Sequence, residues 1–446
     1  MLQTTEAGTP PAPATAFRPT KWSVIWLLTL TIFSALTVGG LAAPLLESIK
    51  ADLKLSDWDL GLLAGMATLI PTAVLSIPIA WMVDHSTRTR LLIVLASCWA
   101  VGTIGTAFAT DFTTFFLARL IAGIGGGCAF PVLVSILADV CMPERRGRSM
   151  LLVSIGAWGG VAAAFAIGGT LFGYLSKNPG SGLLGMTAWR EVHLLVGIGA
   201  ALLVLPLFML KEPPRYEVER ASVSIRDAMQ ALWLRKGFLG PLMFAQLTGG
   251  LAEGAAAIWM GAVLVRQYGQ SPGDFGAWVG LVILGSGIVG SIIGGFAADA
   301  GTKLKMRGGI LLPALIATAL TIPAGAFSIM PTVTGFAWVL FALLTGGTII
   351  NLVCSASIAV LIPNEERAIT LAGMKIVNTF VVAGVAPPLI GWIASYNSGP
   401  RGLGEAIAVL GVVTGFISLI GFWFAMRGAP EPVARDPDAK MIPAMG

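Results

Sequence analysis

At 446 residues, 56% hydrophobic and only 11% charged, with a mean hydropathy of +0.84, the chain lies outside the range of soluble domains, which carry about a quarter charged residues. The net charge of +5 is spread through short connecting segments rather than gathered in one stripe, which argues against nucleic acid as a partner. Apolar runs of about 20 residues recur along the whole length, each long enough to cross ~30 Å of hydrocarbon, and they predict an all-α integral membrane protein.

In chain order, the Pro-, Thr- and Ala-rich start MLQTTEAGTPPAPATAFRPT lacks a secretory signal and reads as a disordered tail. Six apolar spans follow at approximately 23–46, 59–82, 91–110, 114–138, 149–174 and 192–210. Six more are expected at 238–265, 275–298, 309–330, 333–361, 369–395 and 405–426. The longest polar segment, KEPPRYEVERASVSIRDAMQALWLRKG, separates the two sets. The expected organisation is a cytoplasmic tail over 1–22, a six-helix lobe over 23–210, a cytoplasmic linker over 211–237, a second six-helix lobe over 238–427 and a cytoplasmic tail over 428–446. With the N-terminus inside, about 20 Lys and Arg fall on the cytoplasmic side and about 6 outside, as the positive-inside rule requires. Cys98, Cys128, Cys141 and Cys354 lie in or beside apolar spans without ligand-like spacing, so they read as small packing residues.

The two halves repeat. Asp84 closes span 2 and Asp299 closes span 8; PERRGR (143–148) follows span 4 and PNEERA (363–368) follows span 10. A small residue four positions before each aspartate lets helices approach, and the carboxylate can cap a neighbouring helix or pair with Arg88 or Arg90. Such a contact would latch one face of the protein; the alternative is that both aspartates only mark span ends. Paired six-helix repeats joined by a cytoplasmic linker are the layout in which a solute site lies between lobes at the bilayer midplane.

With Ala80, Asp84, His85, Arg88 and Arg90 approximating the first copy of the loop signature Gly-x-x-x-Asp-Arg-x-Gly-Arg-Arg, and Gly295 and Asp299 the second, the chain resembles the major facilitator superfamily. ARLIAGIGGG (118–127) is similar to its span 4 pattern at Arg119, Gly123 and Gly125, and GAWGGVAAAFAIGG (156–169) to its Gly-rich span 5 motif without the proline. LESIKADLKLSDWDLGLL (46–63), Trp189-Arg190 and KEPPR look most like the spinster branch, although Val38-Gly39 stand where that branch has Asp-Arg and Gly126 where it has Glu. The resemblance implies the major facilitator fold of twelve helices, with spans 1, 4, 7 and 10 facing a central cavity.

Glu253 is the one acid expected near mid-membrane, about 24 Å into span 7. Desolvation favours its neutral form, which suits a proton-coupling site; the alternative is a permanently protonated acid bonded to a neighbouring helix. Gln246 lies two turns earlier on the same face. Arg119, about six residues inside span 4, either binds an anionic group or braces span 1. Thr348, Asn351 and Ser355 form a polar face on span 10, and Lys375, Asn378 and Thr379 another on span 11. The candidate substrate-binding residues are therefore Arg119, Gln246, Asn351 and Asn378, with Lys375 joining Asp84, Arg88, Arg90 and Asp299 as gating residues. Trp158 and Trp259 either stack on a substrate or pack.

No GxxxxGK[ST] loop is present, His85 and His193 have no metal or nucleophile constellation around them, and no cofactor or metal is expected. The expected activity is proton-coupled secondary transport by alternating access, with a small organic anion as substrate. The protein is expected to work as a monomer in the bacterial inner membrane, both termini cytoplasmic. Alternatives are a proton-driven exporter of an amphipathic, drug-like or lysolipid-like compound and, in another class, a membrane receptor with a transporter fold.

Overall fold

The computed structural model describes residues 20–142, 145–215, 233, 235–304, 306–362, 367, 370–371, 373–374, 377–396 and 399–430. Residues 1–19 and 431–446 of the two expected tails, most of the 211–237 linker and Lys375 lie outside the described residues.

Among the described residues the chain is helical throughout. Eleven helices are long and apolar enough to cross a membrane, and a shorter apolar helix over Thr379–Ser395 stands where span 11 was expected. The first half contributes spans 1 (Trp22–Gly40), 2 (Asp57–His85), 3 (Arg88–Ala107), 4 (Phe112–Val140), 5 (Arg146–Lys177) and 6 (Ala188–Val204). Spans 7 (Lys236–Tyr268), 8 (Pro272–Lys303), 9 (Leu312–Ala324), 10 (Val333–Leu361) and 12 (Gly402–Gly428) belong to the second. Span 11 opens with a π-helical stretch, Thr379–Val385, that runs into Ala386–Ser395. Pro387 and Pro388 lack the N–H groups that would close α-helical rings there, which accounts for the widened turn.

Several helix starts are written locally. Ser56 with Asp59 and Ser271 with Asp274 form capping boxes at the heads of spans 2 and 8, and Asp111 with Thr114 does the same for span 4. These three starts share one face, called here the distal face. The opposite, terminal face is where span 1 begins and span 12 ends.

Within each half the spans bury small and aliphatic side chains against one another. Leu92, Trp99, Ala129 and Ile136 make one such core, and Leu242, Leu311, Val353 and Phe422 its counterpart. The halves join along two seams, spans 2 with 11 and spans 5 with 8. Glycines let backbone meet backbone there: a methyl on Gly173 would lie 2.7 Å from the Gly273 Cα, and one on Gly391 would lie 2.8 Å from the Asp57 carbonyl carbon. Towards mid-membrane the seams reach Trp158 against Gly287 and Leu69 against Gly384.

Candidate functional site: a polar cavity between two ionic networks

Gln246 of span 7, Asn351 and Ser355 of span 10, and Asn378 and Thr379 of span 11 surround one cavity of about 110 Å³. Ile358, Leu371 and Met374 complete its wall. Three of the four residues chosen as substrate-binding from the sequence thus meet in one place. Asn351 and Ser355 are exposed on span 10; the Ser355 hydroxyl donates to the Asn351 carbonyl at 2.9 Å, while an amide side chain such as that of Asn351, ten residues inside the helix, calls for water or a solute as partner. A cavity of this size holds a carboxylate head with a few waters; whole drug-sized ligands occupy roughly 300–1,000 Å³. Thr348 leaves this face: it is buried against Gly290 of span 8, its hydroxyl bonded to the Leu344 carbonyl.

Glu253 stands two turns further along span 7, about midway along the helix. Its carboxyl fills the space that a side chain on Gly347 of span 10 would take, since a methyl there would lie 2.7 Å from Oε2 and closer still to Oε1. The acid is therefore seated in a notch on the neighbouring helix while remaining partly exposed. Gly347 was not singled out from the sequence; in a chain with 56 glycines, only the facing helix shows which one makes room.

Arg119 takes the bracing arrangement, the second of the two readings its position allows. It is 3% exposed and does not reach the amide cluster: Nη1 donates to the Val38 carbonyl at 3.1 Å and Nη2 to the Gly39 carbonyl at 2.6 Å. Those carbonyls belong to the last turn of span 1, where the helix has no amide of its own to offer them and the dipole favours a cation. Arg119 thus braces span 1 in this conformation. Its Nε has no partner among the described residues, and neither has Nε2 of the fully buried His193, whose Nδ1 lies 2.8 Å from the Trp189 carbonyl. Trp259 is also a packing residue, fully buried with its indole N–H donated to the Pro387 carbonyl at 3.1 Å.

At the distal face one ionic network crosses between halves. Arg266, near the end of span 7, donates to Glu47 Oε1 from Nη2 (2.7 Å) and Nε (2.9 Å), and to Asp57 from Nη1 (2.8 Å) and Nη2 (2.5 Å). Lys50 adds a second cation on Asp57 at 2.6 Å. Sequence reasoning missed this cluster. The available signal was one arginine in the last turns of span 7 and the acids of LESIKADLKLSDWD, more than 200 positions away.

On the terminal face the expected partnership of Asp84 with Arg88 or Arg90 is not formed. Arg88, 2% exposed, pairs with Asp139 at the end of span 4 and with Glu212 Oε1 at 2.8 Å, and donates to the Pro213 carbonyl at 2.9 Å. Glu212 Oε2 also accepts from the Thr89 backbone and hydroxyl, both at 2.9 Å, so this carboxylate caps the start of span 3. Burial would raise the Glu212 carboxyl, but the Thr89 and Arg88 bonds outweigh it and hold the group below its ordinary value. Arg215 donates to the Val83, Asp84 and Ser86 carbonyls at the end of span 2. The stretch 211–215 therefore straps two helix ends, an acid on an N-terminus and a base on a C-terminus. Local order explains the difference: Asp84 is near Arg88 in sequence, but its carboxylate is exposed while Arg88 turns inward to the ends of spans 4 and 6. Arg90 and Asp299 are exposed as well, and Lys375 lies outside the described residues. No cluster of metal-ligating side chains occurs among the described residues.

Two six-span halves around a polar opening, joined at one face and parted by water-bordering amides further in, are the architecture of a membrane transporter. The family model described as Major Facilitator Superfamily matches residues 27–353, and the chain belongs to that superfamily. It is a transporter, not an enzyme. It is 25% identical over 415 residues to an MFS-type efflux pump of Mycolicibacterium smegmatis, covering 91% of this chain and 92% of the relative. It is likewise 25% identical over 408 residues to a cis,cis-muconate transport protein of Acinetobacter baylyi, covering 88% and 93%. Among solved structures, a bacterial homologue of the human lysosomal transporter Spinster, in an inward-facing and unoccupied conformation, superposes with a TM-score of 0.78 at 19% identity, covering 92% of this chain and 98% of that one. The spinster-like type of fold expected from the sequence is thus found.

Proposed function

We propose that the protein is a proton-coupled secondary transporter of small organic anions, acting as a monomer in the bacterial inner membrane with its terminal face towards the cytoplasm. The observation that carries this reading is the alignment along one span of the amide-lined cavity and the acid seated above it. The amide N–H groups of Gln246, Asn351 and Asn378 supply donors for a carboxylate, and Glu253 supplies an exchangeable proton whose uptake offsets the solute's charge. With the distal face shut by the Arg266 network, the cavity in this conformation is reached from the terminal face. The muconate relative, a dicarboxylate transporter by name, supports the substrate class.

Glu253→Gln reconstituted in liposomes tests the coupling. With cis,cis-muconate and benzoate as probes, the variant is expected to lose accumulation driven by a proton gradient, to background level, while keeping exchange of labelled for unlabelled solute within about twofold of wild type. Accumulation that survives the substitution removes Glu253 from the coupling step. The efflux-pump relative supports a rival, export of an amphipathic compound by proton exchange. Oriented vesicles separate the two, since the importer gathers anion with inward proton flow and the exporter discharges its solute against it.

A further inference from the structure

Away from the central cavity, a groove of about 620 Å³ opens between the terminal ends of spans 7 and 12. Its floor is bare backbone: Gly237 and Gly240 have nothing within 4 Å of where a side chain would begin. Its walls are Phe244, Ile420 and Phe424, each more than half exposed on the bilayer-facing side of the bundle. At its mouth two cations lie over indole rings, Arg427 at 3.6 Å from the Trp423 centroid and Lys236 at 4.4 Å from that of Trp233. They share one corner because their neighbours Gly428 and Gly237 meet backbone to backbone. Span 7 begins without a side-chain cap or an acid in its first turn, and span 12 ends on Arg427. Nothing described in these two turns neutralises the pair.

We propose that this groove is a binding site for an anionic phospholipid of the leaflet at the terminal face. The acyl chains lie along Phe244, Ile420 and Phe424 over the glycine floor, and the phosphate is held by Arg427 and Lys236. The tryptophans mark this depth as the headgroup boundary, where an aromatic ring faces apolar chains on one side and water on the other. A free phosphate has no use for the apolar walls, and a zwitterionic lipid brings an ammonium group that the two cations repel; the groove fits a net-negative headgroup that carries its chains with it. The cation–π contacts hold both side chains at the mouth, so the charge is placed before the lipid arrives.

The full-length protein in detergent, titrated with phosphatidylglycerol, phosphatidylcholine or inorganic phosphate and followed by its melting temperature, tests this. Wild type is expected to gain several degrees from phosphatidylglycerol, half-saturating at about tenfold lower concentration than phosphatidylcholine, and nothing from inorganic phosphate. Lys236→Gln with Arg427→Gln removes the preference between the two lipids. Gly237→Leu, which adds a side chain into open space and leaves the charges in place, removes stabilisation by both. Equal stabilisation of wild type by the two lipids overturns the site, as does phosphate acting alone or a charge variant that keeps the preference.

Discussion

The ionic networks around Arg266 and Arg88, at opposite faces of this molecule, use charge in opposite ways. At the distal face Arg266 of the second half is held by Glu47 and Asp57 of the first, beside seams in which glycine backbones touch. Towards the terminal face the buried arginine, Arg88, finds Asp139 and Glu212 within its own half, and exposed amides border the gap between halves. On the proposed reading, charges that cross the halves would set which face is closed, and charges that stay within one half would keep that half rigid while it moves. Alternating access needs both, because a lobe that rocks as a body has to be stiffer than the contact it breaks.

The largest expected effect separates stability from gating. Arg88→Ala takes the guanidinium away from the buried Asp139 carboxylate, and breaking a buried pair from one side costs about 3–5 kcal/mol. Thermal melting of the variant is expected well below wild type. The distance between spin labels at Asn178 and Arg401, which are exposed at the distal face in opposite halves, should stay unchanged. A change in that distance would mean that Arg88 also sets the access state.

Arg266→Gln is the converse. It removes the one described cation of the second half that engages Glu47 and Asp57, and these groups are only partly shielded, with Arg266 18% exposed. The closed distal state is expected to lose about 2 kcal/mol, roughly a thirtyfold shift towards distal opening, with little change in melting. The Asn178 to Arg401 distance distribution should broaden towards longer values, and a maleimide applied from the terminal face should label Asn351→Cys more slowly. If both readouts match wild type, the glycine seams alone close this face and the network is ornamental.

How far the sequence foretold this division follows from where each signal resides. Span number and the repeat were legible because apolar length and the recurrence of Asp84 and Asp299 are properties of the chain itself. Gln246 and Asn351 were legible for a related reason, since an amide in an apolar span needs a partner and spans 7 and 10 were expected to line a cavity; Asn378 was marked only by the polar face it shares on span 11. Arg119 was left between two roles because the carbonyls that hold it are main-chain groups at the end of span 1, which leave no trace in side-chain identity. The two ionic networks were illegible for want of pairing information. Arg88 meets Glu212 across 124 positions and Arg266 meets Glu47 across 219, while Asp84, the nearer acid, is exposed.

The smallest expected effect tests the strap that binds spans 2 and 3. Glu212 accepts from Thr89 and Arg88 as a carboxylate, and those bonds hold it below its ordinary value of 4.5 although burial alone would raise it. Because the folded protein ionises this group more readily than the unfolded chain does, its contribution is fully present above the ordinary value and fades as pH falls through the lower folded one. Glu212→Gln is therefore expected to lower stability by about 1 kcal/mol near neutrality, the side chain being 31% exposed and partly screened. Wild type and variant melting curves should converge as the medium is acidified through and below the folded carboxyl's lowered value. A gap that does not narrow at all on acidification would mean that the glutamate acts through shape and not charge, and the strap would then be a packing element without the helix-end electrostatics that Thr89 and Arg88 provide.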